Sequence, residues 1–374
     1  MYSSDHDWAN AAAEKIHEKM KLSVRRSTGK IPYLTEDGLF DDQSGRISWW
    51  TNGFYAGQLW QVYHAYGDEI FRQAAEKIED KLDAGLMDCA GLDHDSGFKW
   101  LLTSAANYKL TKNGRSKNRG LLAASNLAGR FNPAGKFIRA WSDGGDGSTA
   151  GWAIIDCMMN LPLLYWAAEE TNDPRFSHIA RAHGDTAVKA FVRENGSVHH
   201  IVRFDANTGE IVGMLGGQGK EIGSSWTRGQ AWAVYGFVLS YLHSGDNKYL
   251  ETAKKAAAYF ASCIPESGLI PVDFCQDSAL DWEDSTAAAI AACGMLEIEK
   301  AVPEGEKPFY HHTAMKLLRA LEEKRANWDT GVDYILENGS VAYHDERHNF
   351  PIVYGDYFFT EAVFKLCGKE LFMW

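Results

Sequence analysis

One turn recurs along this chain. It appears as Gly67-Asp-Glu-Ile-Phe71, Asn172-Asp-Pro-Arg-Phe176, Gly245-Asp-Asn-Lys-Tyr249, Gly305-Glu-Lys-Pro-Phe309 and Gly368-Lys-Glu-Leu-Phe372. Each copy is Gly or Asn, a charged residue, two variable positions and an aromatic ring. Gly or Asn suits the left-handed position that closes a helix. Asp68, Asp173 and Asp246 suit the N-cap of the helix that follows, and Pro174 suits its first turn. Apolar residues flank the turns at helical spacing, as in Ile70, Ala74, Ile78 and Leu82. The interval between the first two turns is about twice the others, and a weaker turn, Lys112-Asn-Gly114-Arg, falls near its middle. The pattern predicts six helical hairpins, hence twelve helices, with no convincing set of strands. That points to an all-α fold, an (α/α)6 barrel, with an open helical solenoid as the competing arrangement.

Composition agrees. The chain has 374 residues, 45% hydrophobic and 24% charged, enough apolar content for a large core and unlike disordered, collagen-like or coiled-coil chains. No Pro- or Ser-rich linker or compositional break divides it, so a single domain over residues 1–374 is expected. A net charge of −12 argues against a general nucleic-acid or anionic-membrane surface. The best apolar run, Leu161 to Ala168, is too short to span a bilayer and ends in Glu169 and Glu170. The N-terminus has neither a basic start nor an apolar run, so no signal peptide is expected. Six cysteines without a CxxC pair read as free thiols in a reducing cytoplasm.

If the turns join helix pairs at one end of a ring, the segments before the inner helices converge at the other. These segments hold Ser48-Trp-Trp-Thr-Asn-Gly53, Asp93-His-Asp-Ser-Gly97, Asp143-Gly-Gly-Asp146, Ser225-Trp-Thr-Arg228, Glu283-Asp-Ser285 and Tyr354-Gly-Asp-Tyr357. Loops on a rigid scaffold commonly carry function. Asp156 sits in an otherwise apolar stretch, Ile154-Ile-Asp-Cys-Met-Met159, where desolvation raises a carboxyl pKa and suits a general acid. The alternative is a structural Asp bonded to backbone freed by Pro162. Asp95 reads either as the second carboxylate of an acid/base pair or as a helix N-cap, and capping is the stronger reading for Asp284 and Asp356. Trp226 and Trp232 beside Arg228 and Gln230 suit a sugar with a carboxylate, rings covering C–H faces and Arg pairing the anion; for Trp232 alone a plain core position is the stronger reading. The 13 histidines show no metal-ligand spacing. Neither a phosphate-binding glycine loop nor a serine nucleophile elbow is present, and Asp143-Gly-Gly-Asp146 is only a weak calcium-loop match.

Together these residues resemble the unsaturated glucuronyl hydrolases, glycoside hydrolase family 88. The resemblance rests on Trp50-Thr-Asn-Gly-Phe54, Leu92-Asp-His-Asp-Ser-Gly-Phe98, Ile154 to Leu164, Ser225-Trp-Thr-Arg-Gly-Gln-Ala-Trp232 with Tyr235-Gly-Phe237, Asp284-Ser285 with Ala292 to Glu297, and Gly355-Asp-Tyr357. It implies an (α/α)6 barrel and a cytoplasmic enzyme with no cofactor and no metal. The implied substrates are oligosaccharides ending in 4,5-unsaturated glucuronic acid, the products of polysaccharide lyases. In the implied reaction the vinyl ether is hydrated, unlike the displacement of ordinary glycosidases. Asp156 matches the general acid and base, and Asp95 the second essential carboxylate. His200, Gln218 and Arg228 match polar contacts around the uronate, His200 being preferred to His199 on spacing. Trp50, Trp226 and Trp232 match aromatic walls. Asn52 departs from the family, where Asp is common. No nucleic acid, membrane or stable protein partner is expected.

Three alternatives stand beside this reading. One is an unsaturated rhamnogalacturonyl hydrolase, which would share fold and chemistry. A sugar epimerase on the same barrel would want a pair of histidines at the rim. A non-catalytic helical scaffold would tolerate Asp156→Asn.

Overall fold

Gly67, Lys112, Asn172, Gly245 and Gly368 take left-handed backbone, with φ of 76°, 61°, 54°, 67° and 69°, and each closes a helix. This is seen in a computed structural model of the chain, which describes residues 3–143 and 145–374. The helices are α1 (Ser3–Arg26), α2 (Phe54–Tyr66), α3 (Glu69–Leu86), α4 (Ala106–Thr111), α5 (Gly114–Gly129) and α6 (Leu161–Thr171). They continue with α7 (Pro174–Ala190), α8 (Thr227–Ser244), α9 (Asn247–Ser262), α10 (Ser285–Ala301), α11 (Lys307–Lys324) and α12 (Val353–Cys367). A π-helical segment, Gly97–Ala105, runs directly into α4.

Burial separates the helices into two layers. Every side chain of α12, and of α10 from Ser285 to Ile298, is buried, as is α8 from Thr227 to Ser240. Helices apolar on all sides belong inside. The inner set packs in sequence, α2 on the π segment, then α6, α8, α10 and α12, and α12 returns to α2. The ring is therefore closed, and the open solenoid is excluded. One amphipathic outer helix backs each inner one, with α3, α5, α7, α9 and α11 following their partners in the chain.

The sixth hairpin differs from the sequence expectation. Gly368 ends α12, but no helix follows it; the outer partner of α12 is α1, from the other end of the chain. Residues after Gly368 instead fold back on the ring. Trp374 stacks on Phe358, with 5.9 Å between centroids and 8° between planes, and donates its indole N–H to Glu361 at 2.8 Å. The turn at Gly305 also departs, because α10 ends in extended Val302 followed by Pro303 and needs no left-handed residue. Asp173 and Asp246 cap their helices as expected, whereas Asp68 turns to His17 of α1 at 2.6 Å.

Short antiparallel strands also decorate the ring. They are β1 (Thr35–Glu36) with β2 (Leu39–Phe40), β3 (Phe131–Asn132) with β4 (Phe137–Ile138), and a sheet of β5 (Trp152–Ile154), β6 (Ile201–Phe204) and β7 (Ile211–Leu215). None spans more than 5 residues, too short to leave an alternating pattern in the sequence. No helix among the described residues is long and apolar enough to cross a membrane.

Candidate active site

The loops that precede the inner helices meet at one end of the ring around a cavity of about 500 Å³. Trp49 and Trp50 enter from before α2, and Asp93, His94 and Asp95 from before the π segment. Asp156 lies on a 3-10 turn, Ile155–Met159, between β5 and α6. His200 and Gln218 flank the β6–β7 hairpin, Arg228 opens α8, and Val341, Ala342 and Asp345 come from before α12. The π-helical stretch beside Asp95 fits the tendency of such segments to occur at functional sites.

Asp156 has the unusual setting. Its Oδ1 is buried without a hydrogen-bond partner, so this oxygen is not held by backbone near Pro162. Nε2 of His200 lies 3.6 Å from it. Burial pushes its pKa up to about 7, with Arg228 the main opposing influence. His200 is oriented from behind, since its Nδ1 accepts the backbone N–H of Gln218 at 3.0 Å. Burial and Arg228 lower its pKa to about 3, so it is neutral, and the ring proton sits on Nε2 facing Asp156. Gly217 permits this approach: it is left-handed at φ 59°, and a Cβ there would fall 1.9 Å from Nδ1.

Asp95 is tied to the same loop by Asn160. The Asn160 amide donates to Asp95 Oδ1 at 3.1 Å and to the Asp156 carbonyl at 3.3 Å, while its oxygen accepts from Phe98 N–H at 2.8 Å. His94 Nε2 lies 3.5 Å from Asp95 Oδ2. Burial, then the charges of Asp93 and Asp156, hold Asp95 well above the usual carboxylate range. Burial and Arg130 hold His94 well below its own, so this imidazole is neutral near pH 7. The Asp95 side chain does not cap the π segment.

Arg228 is less available than the sequence suggested. It is 1% exposed, pairs with Asp284 at 2.7 Å, and also donates to the carbonyls of Ser340 and Val341. Its guanidinium lies 4.6 Å from the Trp226 ring, and that ring sits 4.4 Å from His200. Gln218 Nε2 donates to the same Val341 carbonyl at 2.8 Å. Asp284 thus both caps α10, through Thr286, and holds Arg228. Asp356 is not a cap of α12; its carboxylate accepts the N–H groups of Ile335 and Leu336 and fixes the segment that leads to Val341.

Of the aromatic walls expected, only Trp50 lines the cavity. Trp226 is buried behind His200 and Arg228. Trp232 is fully buried, packed on Phe98 and Phe358, because an inner helix turns this face to the ring's axis. Asn52 is buried too, and its amide holds the carbonyls of Arg46 and Ile47. His199 turns away to Arg193. Asp143 accepts from Gly145, Thr149 and Arg139, which commits it to its own loop; Gly144 lies outside the described residues. Sequence reasoning missed His94, Asn160, Trp141 and Asp345. The first two lie inside stretches already singled out, and their adjacency to Asp95 and Asp156 was the available signal. For Trp141 and Asp345 no signal exists.

Comparison with known proteins gives a uniform result. Residues 23–359 match the sequence model of Glycosyl Hydrolase Family 88. An unsaturated glucuronyl hydrolase from Bacillus sp. (strain GL1) is 36% identical over 325 residues, 85% of this chain and 86% of that protein. An unsaturated chondroitin disaccharide hydrolase from Streptococcus pneumoniae is 33% identical over 365 residues, covering 94% and 92%. A crystal structure of an unsaturated glucuronyl hydrolase mutant from Streptococcus agalactiae, complexed with dGlcA-GalNAc6S, superposes with a TM-score of 0.85. That pair is 27% identical and covers 99% of this chain and 94% of the other.

Proposed function

The chain belongs to glycosyl hydrolase family 88, and from that premise we propose a reaction for the cavity and a role for each residue around it. The protein is a hydrolase that releases the 4,5-unsaturated glucuronic acid from the non-reducing end of glycosaminoglycan fragments made by polysaccharide lyases. Asp156 is the general acid and then the base. Protonated, it gives its proton to C4 of the vinyl ether, which leaves positive charge shared between C5 and the ring oxygen. Water adds at C5 and returns a proton to the Asp156 carboxylate. The C5 hemiketal then opens, and C1 releases the remaining saccharide. The observation that carries this role is the buried Oδ1 without a partner, on a carboxyl whose pKa lies at about 7.

Asp95 faces the same space. With its pKa held up by burial, it takes a proton more readily than an ordinary carboxylate, which limits the negative charge beside the uronate. Neutral His200 presents Nε2–H, and Gln218 fixes it from behind. Arg228 is the only Lys or Arg among the described residues that line the cavity, and its field favours the substrate's carboxylate. Trp50 offers a ring face to the sugar. We take residues 1–374 as one catalytic domain that needs no cofactor, metal, nucleic acid, membrane or stable protein partner. A cytoplasmic location is supported by six cysteines that are all free.

The test follows the ultraviolet absorbance of the conjugated alkene in unsaturated chondroitin and hyaluronan disaccharides. Wild-type protein should remove it with chelator present, and Asp156→Asn should not. Persistence of absorbance with both sugars would overturn the proposal, and loss only with an unsaturated rhamnogalacturonan fragment would move the substrate to the pectin class.

A further inference from the structure

A second depression adjoins the cavity. It is an open groove of about 790 Å³ formed by the end of α5 and the β3–β4 hairpin. Ser142 lines both, and along the next loop Cys89 faces the groove while residues 90–92 face the cavity. The groove and the cavity therefore share a wall on that side.

The two spaces differ in charge. Asp93, Asp95, Asp156 and Asp345 line the cavity. Among the described residues that line the groove there is no carboxylate, and the ionised groups are Arg130 and Arg139. Arg139 pairs with Asp143 at 2.8 Å, yet its Nε is buried without an acceptor. Arg130 donates to the carbonyls of Leu92, Arg139 and Ala140 and forms no ion pair among the described residues, the charges of Asp93 and Asp95 acting on it only from a distance. In a chain of net charge −12, such a groove is a local attractor for anions. Beside the cations stand the exposed Leu122 and the ring of Phe131, which suit the C–H faces of sugars.

The substrate class has a matching pattern. Glycosaminoglycan fragments alternate acidic and amino sugars, so with the unsaturated uronate in the cavity the next uronate lies two sugars further out. We propose that this groove is a distal subsite that binds the reducing-side extension of an oligosaccharide and takes its next anionic sugar. The inference rests on the reading of the cavity as the site of the unsaturated end.

Binding is measured by calorimetry on Asp156→Asn, which stops turnover, with unsaturated hyaluronan disaccharide and tetrasaccharide. The tetrasaccharide is expected to bind ~10-fold tighter, an advantage that shrinks as salt is raised. Ser125→Glu, an exposed α5 residue at the groove, should abolish that advantage and leave disaccharide affinity and the melting temperature unchanged. Equal affinity for the two sugars would overturn the subsite, as would Ser125→Glu acting on both or on neither. Failure of wild-type protein to consume the disaccharide's alkene would instead overturn the reaction, and absorbance reads that separately.

Discussion

Nε2 of His200 stands 3.6 Å from Oδ1 of Asp156, and neither atom has a hydrogen-bond partner. That gap is too long for a hydrogen bond, so the histidine faces the acid without binding it. Since Gln218 N–H occupies Nδ1, His200 cannot accept the Asp156 proton on that side, and its own proton occupies the other. In the proposed reaction the Asp156 proton is thus left for the substrate. The pair reads as an acid and a neutral donor rather than a relay.

The pH dependence of turnover follows. In the proposed role Asp156 must be protonated to act, and its pKa lies at about 7. The kcat/KM for an unsaturated disaccharide should therefore be highest on the acid side and fall as pH rises through about 7. Asp156→Asn should lose ~10²–10⁴-fold on the acid side, where the wild type is most active. A wild-type profile flat across neutrality would contradict the assignment.

Stability carries the same signature with a definite sign. Asp156 and Asp356 are both raised from 3.8 to about 7 by burial. Each binds a proton in the fold that the unfolded chain gives up, so its contribution is complete below 3.8 and is lost as pH rises through about 7. Asp156→Asn removes one such group. Its melting temperature should exceed the wild type's by a few degrees on the alkaline side of neutrality, and the difference should shrink toward acid. Melting curves of both proteins across that window provide the check.

Arg228 and Asp284 form a buried pair at 2.7 Å whose members are 1% and 0% exposed. Arg228→Met strands the carboxylate of Asp284 and should destabilise the fold by about 3–5 kcal/mol. Arg228→Lys keeps the charge but loses the fork that also holds Ser340 and Val341. Because Gln218 shares the Val341 carbonyl, the Lys variant should raise KM more than it lowers kcat. Steady-state kinetics and denaturant titrations separate the two effects.

The helices were legible because their ends are written locally. A left-handed Gly or Asn, a capping Asp and an aromatic four residues along act within one turn, and the copies at Asn172 and Gly245 behave fully as read. Lys112 shows the limit: it takes the same left-handed backbone with no glycine to advertise it, and Asn113 caps the next helix. Pairing of α1 with α12 was hidden, because it joins the two ends of the chain and no local rule reaches that far. The site divides in the same way. Asp156 was readable from its apolar neighbours, which set its pKa directly. What engages Arg228 was not, since Asp284 and Val341 lie 56 and 113 residues away. Two histidines, His94 and His200, do meet at the cavity, although sequence placed no such pair; both are held neutral, and the family relationship points to hydrolysis rather than epimerisation.

Trp232 separates a substrate wall from a tuning residue. The sequence pattern offered it as a ring for the sugar, but it is fully buried against Phe98 and Phe358 and does not line the cavity. Its indole N–H makes no hydrogen bond, and its influence on the reaction is a minor one through Asp156, where after burial and Arg228 the nearby N–H favours the ionised carboxylate and lowers that pKa. Trp232→Phe keeps an aromatic ring in the core and removes the N–H. The Asp156 pKa should then rise, moving the alkaline limb of kcat/KM to higher pH while KM for the disaccharide stays the same. A large rise in KM with an unmoved limb would return Trp232 to the substrate wall. A shifted limb at constant KM would instead show that a residue out of the sugar's reach sets the pH range of the enzyme.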